Sequence, residues 1–345
     1  MHEHPNLPPL KYGIVSPGRW GRMLLAAAKS IPELSFGGVW GRSETNAAEI
    51  VRLYGGRAYR SYDELLSDST IEAVLLPTPH FLHFAQSIAA LSAGKHVFVE
   101  KPIAPTFNEA EMMARASLAK GLVLAVGHQV RFMGFARRIR DMLADQTFGV
   151  PSHIVITHGY PLMLGAEQGD WRLRPENVPG GPLDEFGVHY FDALSYWCGP
   201  ALRVTGAMTS KITPGEVPDV ASVVIELSNG VLASYTSHFV SVGVNRLQFF
   251  GTNGRLEVNR FGAAESWWQD TGDMTAARMG GPPPKPVSFP EPVGIDGALR
   301  AELIEFFSAI RQRRPPEVGA PQAIAALRIA RAAVQAFATG RSVTI

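Results

Sequence analysis

The chain has 345 residues, and its 32 Lys and Arg against 31 Asp and Glu leave a formal net charge of +1 at pH 7. This balance gives no electrostatic field that favours nucleic acid or a membrane as a partner, and no apolar run reaches the roughly 20 residues that span a bilayer. The single cysteine, Cys198, excludes an intrachain disulfide and argues against a cysteine-based metal site, so we predict no metal. We expect a cytoplasmic protein that handles a small molecule and is long enough for two domains.

The first part of the chain alternates short apolar runs with helical stretches, as in a parallel, doubly wound sheet. We therefore predict an α/β domain over residues 1–127. Ser61 and Glu64 have the spacing of a helix-capping box. The predicted strands are 12–15, 36–40, 57–59, 73–76, 97–99 and 122–126, and the predicted helices are 23–31, 45–54, one that opens at residue 61, 81–93 and 108–120.

The second part, residues 128–345, carries longer strands with two different faces, and we predict a second α/β domain with a largely antiparallel sheet. Asn229-Gly230 lies between two strand patterns and suits the type I′ turn of a hairpin. The Pro- and Gly-rich stretch 280–292 is predicted to be a loop. The predicted hairpins are 221–227 with 231–239 and 246–250 with 255–258, and the predicted helices are 135–143, 299–313 and 321–339.

A glycine-containing loop, Ser16-Pro17-Gly18-Arg19-Trp20-Gly21, follows the first predicted strand and opens a helix. This is the place of the dinucleotide pattern Gly-x-Gly-x-x-Gly, in which the backbone and the helix N-terminus bind the pyrophosphate. The first glycine is replaced by Ser16, which we expect to make the turn only with a negative φ. An ordinary strand-to-helix turn is the alternative. The loop residues that we predict to bind a dinucleotide are Ser16, Gly18, Arg19, Trp20 and Gly21.

The end of the second predicted strand bears on the choice between NAD and NADP. An NAD site places an acidic residue there for the ribose 2′-hydroxyl, but this strand ends Val39-Trp40-Gly41-Arg42-Ser43. Arg42 can pair with a 2′-phosphate and Ser43 can donate a hydrogen bond to it. We therefore predict NADP as the cofactor, with NAD as the alternative because Glu44 is close by.

The run Val97-Phe98-Val99-Glu100-Lys101-Pro102 places an amine and a carboxylate directly after an apolar strand. Pro102 cannot extend the strand, so Lys101 lies at its carboxyl end, where ligands bind in open α/β sheets. The alternative is an exposed charged turn. The segment from Pro77 to His83, after the preceding strand, either shapes the cofactor pocket or is a plain turn.

The stretch from Gly180 to Asp192 is the other dense cluster. Glu185, His189 and Asp192 are spaced i, i+4, i+7 and share one face of a predicted helix. The histidine can exchange a proton near neutral pH, and a carboxylate one turn earlier can orient it. A solvated helix face with an incidental histidine is the alternative.

Together these residues resemble the Gfo/Idh/MocA family of NAD(P)-dependent oxidoreductases. The resemblance covers nearly the whole chain and implies an N-terminal Rossmann domain and a C-terminal α/β domain with an open, mostly antiparallel sheet. It also implies homodimers or homotetramers formed through that sheet, and a sugar, inositol or related polyol as the substrate. The matching runs are Thr78-Pro79…His83…Gly94-Lys95-His96-Val97…Glu100-Lys101-Pro102 and Gly180-Gly181…Gly187-Val188-His189…Asp192, with Arg131-Phe132 and Trp171-Arg172.

The resemblance further implies roles for individual residues. Lys101 contacts the nicotinamide region and the substrate hydroxyl, His189 is the acid/base, and Glu100 lies near the nicotinamide ribose. The family's acidic residue four positions before the histidine is an aspartate; Glu185 stands here, so Asp184 or Asp192 is an alternative partner for His189. The expected cofactor-binding residues also include Thr78, Pro79 and His83, and the expected substrate-binding residues are Lys101, Arg131, Trp171, Arg172, Asp184 and His189, with Tyr160 and His158 as further candidates.

We thus expect reversible oxidation of a secondary alcohol with NADP(H), or with NAD(H). Two other functions stay open. One is a redox-neutral lyase or glycosidase that recycles a bound NAD(P). The other is a non-catalytic, NADP-binding regulator of a sugar pathway, which the departures at Ser16 and Glu185 allow and the presence of Lys101 and His189 disfavours.

Overall fold

The computed structural model describes residues 8–16, 18–259, 266–291 and 294–345, which form two compact units. One unit comprises the residues up to Gly127 together with Leu299–Pro321, and the other comprises His128–Ala298 together with Gln322–Ile345. The sequence-based division into 1–127 and 128–345 assigns residues 299–321 to the second domain. The structure groups them with the first unit because their aromatic side chains pack on its sheet.

The first unit is a parallel α/β structure, as predicted. Its strands lie in the order 3-2-1-4-5-6, and every neighbouring pair is parallel. Each element predicted between residues 12 and 126 is present, with small shifts at its ends. The strands are β1 (Leu10–Val15), β2 (Leu34–Trp40), β3 (Arg57–Ala58), β4 (Ala73–Leu76), β5 (His96–Glu100) and β6 (Leu124–Gly127), and the helices are α1 (Arg19–Lys29), α2 (Glu44–Tyr54), α3 (Tyr62–Ser67), α4 (His83–Ser92) and α5 (Phe107–Lys120).

The strand order fixes where a ligand can bind to this unit. The first three strands are added from β1 toward one edge of the sheet, and the next three are added from β4 toward the other edge. The strand order therefore reverses between the neighbours β1 and β4. Ligands of open α/β sheets bind beyond the carboxyl ends of the strands at such a switch point. The loops after β1, β2, β4 and β5 all leave from this edge, and they carry the predicted cofactor residues.

Side-chain caps begin several of these helices. The Ser61 hydroxyl accepts a hydrogen bond from the Glu64 amide, but the Glu64 carboxylate binds the Arg60 amide instead of closing the predicted capping box. A complete box occurs at α5, where Thr106 and Glu109 each bind the other's backbone amide. This second box is not among the features predicted from the sequence.

The second unit contains a nine-stranded mixed sheet in the order 14-13-12-11-7-10-9-8-15. Within this sheet, among the strands that the structure describes, only the pair formed by the seventh and tenth is parallel, so the prediction of a mostly antiparallel sheet is confirmed. The strands are β7 (Pro151–Gly159), β8 (Ala201–Thr209), β9 (Val220–Leu227), β10 (Leu232–His238), β11 (Val244–Gly251), β12 (Gly254–Asn259), β13 (Trp267–Asp270), β14 (Lys285–Pro286) and β15 (Val343–Thr344), and its helices include α6 (Gly134–Ala144), α7 (Val188–Cys198) and α8 (Met274–Arg278).

Both predicted hairpins are present, but the first has a different turn. The Gly230 amide donates to the Leu227 carbonyl over 2.9 Å, and the Leu227 amide donates to the Val231 carbonyl over 3.0 Å. Gly230 has a φ of 85°, whereas Asn229 has no positive φ. The expectation of a type I′ turn is therefore wrong, since that turn needs a positive φ at both central residues. The loop has three residues, with a left-handed glycine at its end.

Two long helices precede β15 in the chain, α9 (Ile295–Gln312) and α10 (Ala320–Thr339). In the first unit, Phe306 packs on Phe98 of β5 with ring centroids 5.7 Å apart, and Phe307 packs on Tyr12 of β1 at 6.0 Å. The predicted loop over 280–292 contains the short strand β14, whose proline is tolerated at a sheet edge; residue 292 lies outside the described residues.

The turn at Gly230 provides a test of backbone strain without steric conflict. A Cβ at Gly230 would meet no atom within 4 Å, so Gly230→Ala should destabilise the protein by about 1–2 kcal/mol through its left-handed φ alone. Urea unfolding followed by tryptophan fluorescence measures this. Gly243→Ala is the control, because its Cβ would lie 3.7 Å from the nearest atom and it needs no left-handed backbone. Equal stability of the two variants would contradict the assignment.

Candidate functional site

The loop after β1 makes its turn with a left-handed serine. Ser16 has a φ of 62°, so the expectation of a negative φ is wrong. Its amide donates to the Trp40 carbonyl, and its carbonyl accepts from the Gly18 amide, both over 2.7 Å. These two bonds hold Ser16 in a conformation that costs a non-glycine residue about 1–2 kcal/mol. Pro17 lies outside the described residues.

The two glycines of this loop are required for different reasons. A Cβ on Gly21 would lie 3.1 Å from Pro77 Cγ and 3.2 Å from the Ser16 carbonyl oxygen, so Gly21 lets α1 pack closely on the sheet. A Cβ on Gly18 would meet nothing within 4 Å. The protein itself therefore does not require glycine at position 18, and the open space leaves room for a ligand.

Glu100 and Trp20, both predicted at the cofactor site, are in direct contact. Trp20 Nε1 donates to Glu100 Oε1 over 2.5 Å, and the Lys101 amide lies 3.3 Å from Oε2. Glu100 is only 5% exposed, so the alternative of an exposed charged turn is wrong. Lys101 follows directly, half-buried, and its peptide bond to Pro102 is cis.

Gly127, which the sequence analysis does not single out, makes room for the Glu100 carboxylate. The two residues are register partners on β5 and β6. A Cβ on Gly127 would fall 2.7 Å from Glu100 Oε1 and 2.9 Å from Cδ. Any side chain there would displace the carboxylate. A glycine that ends the strand next to Glu100 is the sequence signal that could have revealed this role.

Glu302 of α9 is a second buried acid in the first unit and also escapes the sequence analysis. It is 2% exposed, and neither carboxyl oxygen has a hydrogen-bond partner among the described residues. Burial, and secondarily the negative charge of Glu100, raise the pKa of Glu302 well above its ordinary value. Burial therefore favours the neutral, protonated form of Glu302 over the carboxylate.

The segment after β4 binds mainly to the protein's own backbone and side chains. The Thr78 hydroxyl donates to Gln86 Oε1 over 2.7 Å. The His83 ring is fully buried, with one nitrogen 2.8 Å from the Thr78 carbonyl and the other 2.8 Å from the Pro102 carbonyl. Pro79 is half-buried before the turn that leads into α4.

The residues at the predicted ribose position lie on the surface. Arg42 and Ser43 are both exposed directly after β2. The Ser43 hydroxyl accepts from the Asn46 amide over 3.2 Å and so caps α2, which leaves its hydrogen for another acceptor. Glu44 is the first residue of α2, where a carboxylate is favoured by the helix dipole.

In the second unit, the acid and histidine cluster begins in a π-helical turn. Residues Leu183–Gly187 form this wider turn, which continues into α7. Such turns are frequent at functional sites because they shift side chains out of the regular helical spacing. Asp184, Glu185 and His189 are all buried here, so the alternative of a solvated helix face is wrong.

Each buried acid of this cluster has its own arginine. Asp192 forms a two-pronged pair with Arg131, with distances of 2.9 and 2.6 Å. Asp184 accepts from Arg331 Nη1 and from the Gly180 amide, each over 2.8 Å. Asp192 and Asp184 are therefore each held by an ion pair with an arginine of the protein.

Glu185 pairs differently from its neighbours. Its Oε1 lies 3.4 Å from Nε of Arg172, whose guanidinium also stacks over the Trp171 ring at 4.4 Å. The His189 ring meets the edge of the His128 ring, with centroids 5.6 Å apart. The structure thus brings Glu185, Arg172 and Trp171 together, and it adds His128, which the sequence analysis does not name.

Two family models match the chain. The oxidoreductase family with an NAD-binding Rossmann fold, GFO_IDH_MocA, matches residues 10–128, and the GFO/IDH/MocA C-terminal domain matches residues 136–257. The protein belongs to the Gfo/Idh/MocA family.

Curated relatives and solved structures agree with this membership of the Gfo/Idh/MocA family. The 1,5-anhydro-D-fructose reductase of Ensifer adhaerens is 28% identical over 309 residues, which cover 88% of each chain. The scyllo-inositol 2-dehydrogenase (NADP(+)) of Bacillus subtilis is 25% identical over 300 residues, covering 82% of this chain and 81% of its own. The fold is also that of levoglucosan dehydrogenase in complex with NADH and levoglucosan, with a TM-score of 0.88, 22% identity and coverage of 98% and 99%.

The first unit of this Gfo/Idh/MocA protein fits a dinucleotide. Gly18 is the N-cap residue of helix α1, which therefore has no side-chain cap, and the first turn of this helix contains no acidic residue. Helices α2, α3 and α5 are instead capped by Ser43, Ser61 and Thr106. The first amides of α1 are therefore left to bind a phosphate, as in other dinucleotide sites.

Two further observations concern the described residues only. No helix there is long and apolar enough to cross a membrane. Within the same residues, no group of three or more His, Cys, Asp or Glu side chains is arranged to hold a metal ion.

The raised pKa of Glu302 gives the stability a testable pH dependence. The unfolded chain loses the Glu302 proton above about pH 4.5 and the folded protein loses it only at a higher pH, so this residue costs stability as the pH rises from the unfolded to the folded pKa. Glu302→Gln removes that cost. Its advantage over the parent protein should grow by up to about 1.4 kcal/mol per pH unit within that interval.

Urea unfolding at pH 5, 6, 7 and 8 measures this difference. The control is Glu33→Gln, which replaces an exposed glutamate of the same unit and should show no growing advantage. A difference between Glu302→Gln and the parent that stays constant across the series would show that Glu302 is ionised in the folded protein.

Proposed function

We propose that this protein is a dehydrogenase or reductase that transfers a hydride between NADP(H) and a secondary alcohol or ketone of a sugar, inositol or related polyol. The observation that carries the proposal is the buried end of β5, where Glu100 is held by Trp20 and Lys101 follows it at the ligand edge of the sheet. The relatives described above are named as a 1,5-anhydro-D-fructose reductase, a scyllo-inositol 2-dehydrogenase and a levoglucosan dehydrogenase, which supports this substrate class.

NADP, when bound, supplies the acceptor or donor of the hydride. We propose that the amides at the start of α1, with Ser16, Gly18 and Gly21, hold its pyrophosphate. Arg19, Trp20, Thr78, Pro79 and Glu100 are proposed to complete this cofactor site, to which His83 contributes through the Thr78 carbonyl that its ring bonds.

The proton of the substrate hydroxyl is handled by the chain's own residues. We propose that the Lys101 ammonium stabilises the alkoxide as its charge develops, which is the electrostatic role in which a fixed cation is most effective. His189 takes the hydroxyl proton during oxidation and returns it during reduction. The alcohol thereby loses one proton to the protein and one hydride to the cofactor, and a carbonyl is formed.

Glu185 is proposed to orient His189. Asp184 and Asp192 are each bonded to an arginine, Arg331 and Arg131 respectively. Glu185 stands four positions before His189, and both residues are buried where the π-helical turn continues into α7. Arg131, Trp171, Arg172 and Asp184 are proposed to shape the substrate site, with Arg131 acting through Asp192.

Oligomerisation through the second sheet is part of the proposal. Leu202, Val224 and Leu232, on β8, β9 and β10, are each more than 40% exposed, and the residues of β9 and β10 alternate with buried ones. A homodimer or homotetramer would cover these exposed apolar side chains. A cytoplasmic location is proposed with it, on the basis of the single cysteine.

The role of Lys101 is tested by turnover. Nicotinamide absorbance is followed with the purified protein, NADP or NAD, and a panel of sugars, inositols and their ketones. Lys101→Ala should lower kcat by a factor of at least about 100, because the alkoxide loses its stabilising charge. Lys120→Ala, an exposed lysine on α5, should leave the rate unchanged.

The outcome also separates the alternative functions. An unimpaired Lys101→Ala variant would refute the assignment. Chemical change of a substrate without net absorbance change, by a protein that copurifies with cofactor, would indicate the redox-neutral lyase or glycosidase. Tight NADP binding without any turnover would indicate the regulator.

Cofactor preference is tested at Arg42. If this arginine binds the 2′-phosphate, Arg42→Ala should weaken NADP binding by about 10- to 100-fold, the equivalent of a lost charge-assisted hydrogen bond, and leave NAD binding unchanged. Titration of nicotinamide fluorescence with the reduced cofactors measures both dissociation constants. Arg52→Ala, an exposed arginine on α2, is the matched control. Tighter binding of NAD than of NADP by the parent protein would overturn the preference.

A further inference from the structure

His83 occupies an unusual hydrogen-bonding position in the first unit. Its ring is 0% exposed and lies between two backbone carbonyl oxygens, with Nε2 2.8 Å from the Thr78 oxygen and Nδ1 2.8 Å from the Pro102 oxygen. A carbonyl oxygen only accepts hydrogen bonds. Both ring nitrogens therefore face acceptors at full hydrogen-bond distance.

This arrangement determines the charge of the ring. A neutral imidazole has one N–H and one lone pair, so one of the two contacts would set a nitrogen lone pair against an oxygen lone pair at 2.8 Å. The imidazolium form has two N–H donors and satisfies both carbonyls. Burying a cation is costly, but two hydrogen bonds from a charged donor offset much of that cost.

The two carbonyls belong to the loops that leave neighbouring strands. Thr78 follows β4 and Pro102 follows Lys101 at the end of β5, and the two strands pair along their whole shared length. Both loops lie at the edge where ligands bind. The ring of His83 is thus a cross-link between the backbone of the cofactor loop after β4 and the backbone that carries Lys101.

We propose that His83 is a buried imidazolium that acts as a positioning residue for Lys101, by fixing the Pro102 carbonyl to the Thr78 carbonyl through two N–H donors. The proposal rests on the proposed function insofar as Lys101 is catalytic. It differs from the expectation that His83 binds the cofactor itself, because both of its ring nitrogens are bonded to the protein.

Other titratable groups lie on the elements that pack against α4. His80, in the turn before it, has its ring centroid 5.9 Å from that of His83. Glu100 and Lys101 stand at the end of β5, with His96 at its start, and β4 carries no titratable side chain. On α5, Glu109 is held in the capping box and Glu111 pairs with Arg115.

His96 provides a matched control within the same unit. Its Nδ1 accepts a hydrogen bond from the Val123 amide over 2.9 Å, so this nitrogen carries no proton. Burial lowers the pKa of His96, which also favours the neutral ring. His96, at the start of β5, thus accepts a hydrogen bond, whereas His83, beside the end of β5, donates two.

The charge of His83 is tested on the parent protein by NMR. The full chain is labelled with ¹⁵N at its histidines, and two-bond ¹H–¹⁵N spectra are recorded from pH 6 to 8.5, across the ordinary histidine pKa of about 6.5. The signals are assigned from their loss in His83→Gln and His96→Gln. His83 should show two protonated nitrogens throughout, and His96 one bare nitrogen. A bare nitrogen on His83 at pH 7 would overturn the proposal.

The positioning role is tested by kinetics of His83→Gln with the alcohol substrate. Lys101 is then no longer fixed, so kcat should fall at least about tenfold while the dissociation constant for NADP changes less than about threefold. The deuterium isotope effect on kcat should rise, because the chemical step becomes slower. His96→Gln should keep the parent kcat.

These readouts separate positioning from mere stability. A variant that is only less stable would show a lower melting temperature and a smaller active fraction, with unchanged kcat per active site and unchanged isotope effect; that result would refute positioning. Loss of NADP binding without loss of kcat would instead make His83 a cofactor residue. If the parent protein oxidises no alcohol in the panel, the proposed function fails, and the NMR spectra still decide the charge of His83.

Discussion

Burial of the Glu100 carboxylate constrains the ligand edge of the first unit more than any other interaction. A carboxylate removed from water must be surrounded by donors, and this one is held by the Trp20 indole and lies beside the Lys101 amide. The indole ties α1 to the end of β5, and the absence of a side chain on Gly127 gives the carboxylate its space. The geometry of the phosphate loop and that of Lys101 therefore depend on one buried charge.

In the second unit, the buried carboxylates are paired with arginine side chains. Asp192, Asp184 and Glu185 are buried within a few residues of one another, and each lies beside a guanidinium. Removing one partner of a buried pair leaves an uncompensated charge, so these pairs fix positions more than they add stability. The π-helical turn continues directly into α7, which carries His189, and this wider turn is not predicted by regular helical spacing.

The sequence predicts the fold well because its signals are local. Apolar runs and caps identify the strands and helices of the first unit, and the position of Lys101 after an apolar strand predicts its place at the sheet edge. Other features depend on contacts between distant residues. The turn at Asn229 follows the bonds of its hairpin rather than the preference of an isolated Asn-Gly pair, and the left-handed φ of Ser16 is held by the Trp40 carbonyl. Glu302 lies some 200 positions from Glu100 in the chain, so no local pattern connects them.

The course of α9 has a consequence for how the protein is made. The first unit includes Leu299–Pro321, and Phe306 and Phe307 of that segment cover Phe98 and Tyr12. A ribosome releases these residues only after residues 128–298 of the second unit, so part of the apolar face of the first sheet stays uncovered while those residues are synthesised. Domains that complete folding as they leave the ribosome avoid such a delay. This chain can instead complete its first unit only after residues 128–298 of the second unit have been synthesised, and a single cut cannot separate the two units without removing a part of one of them.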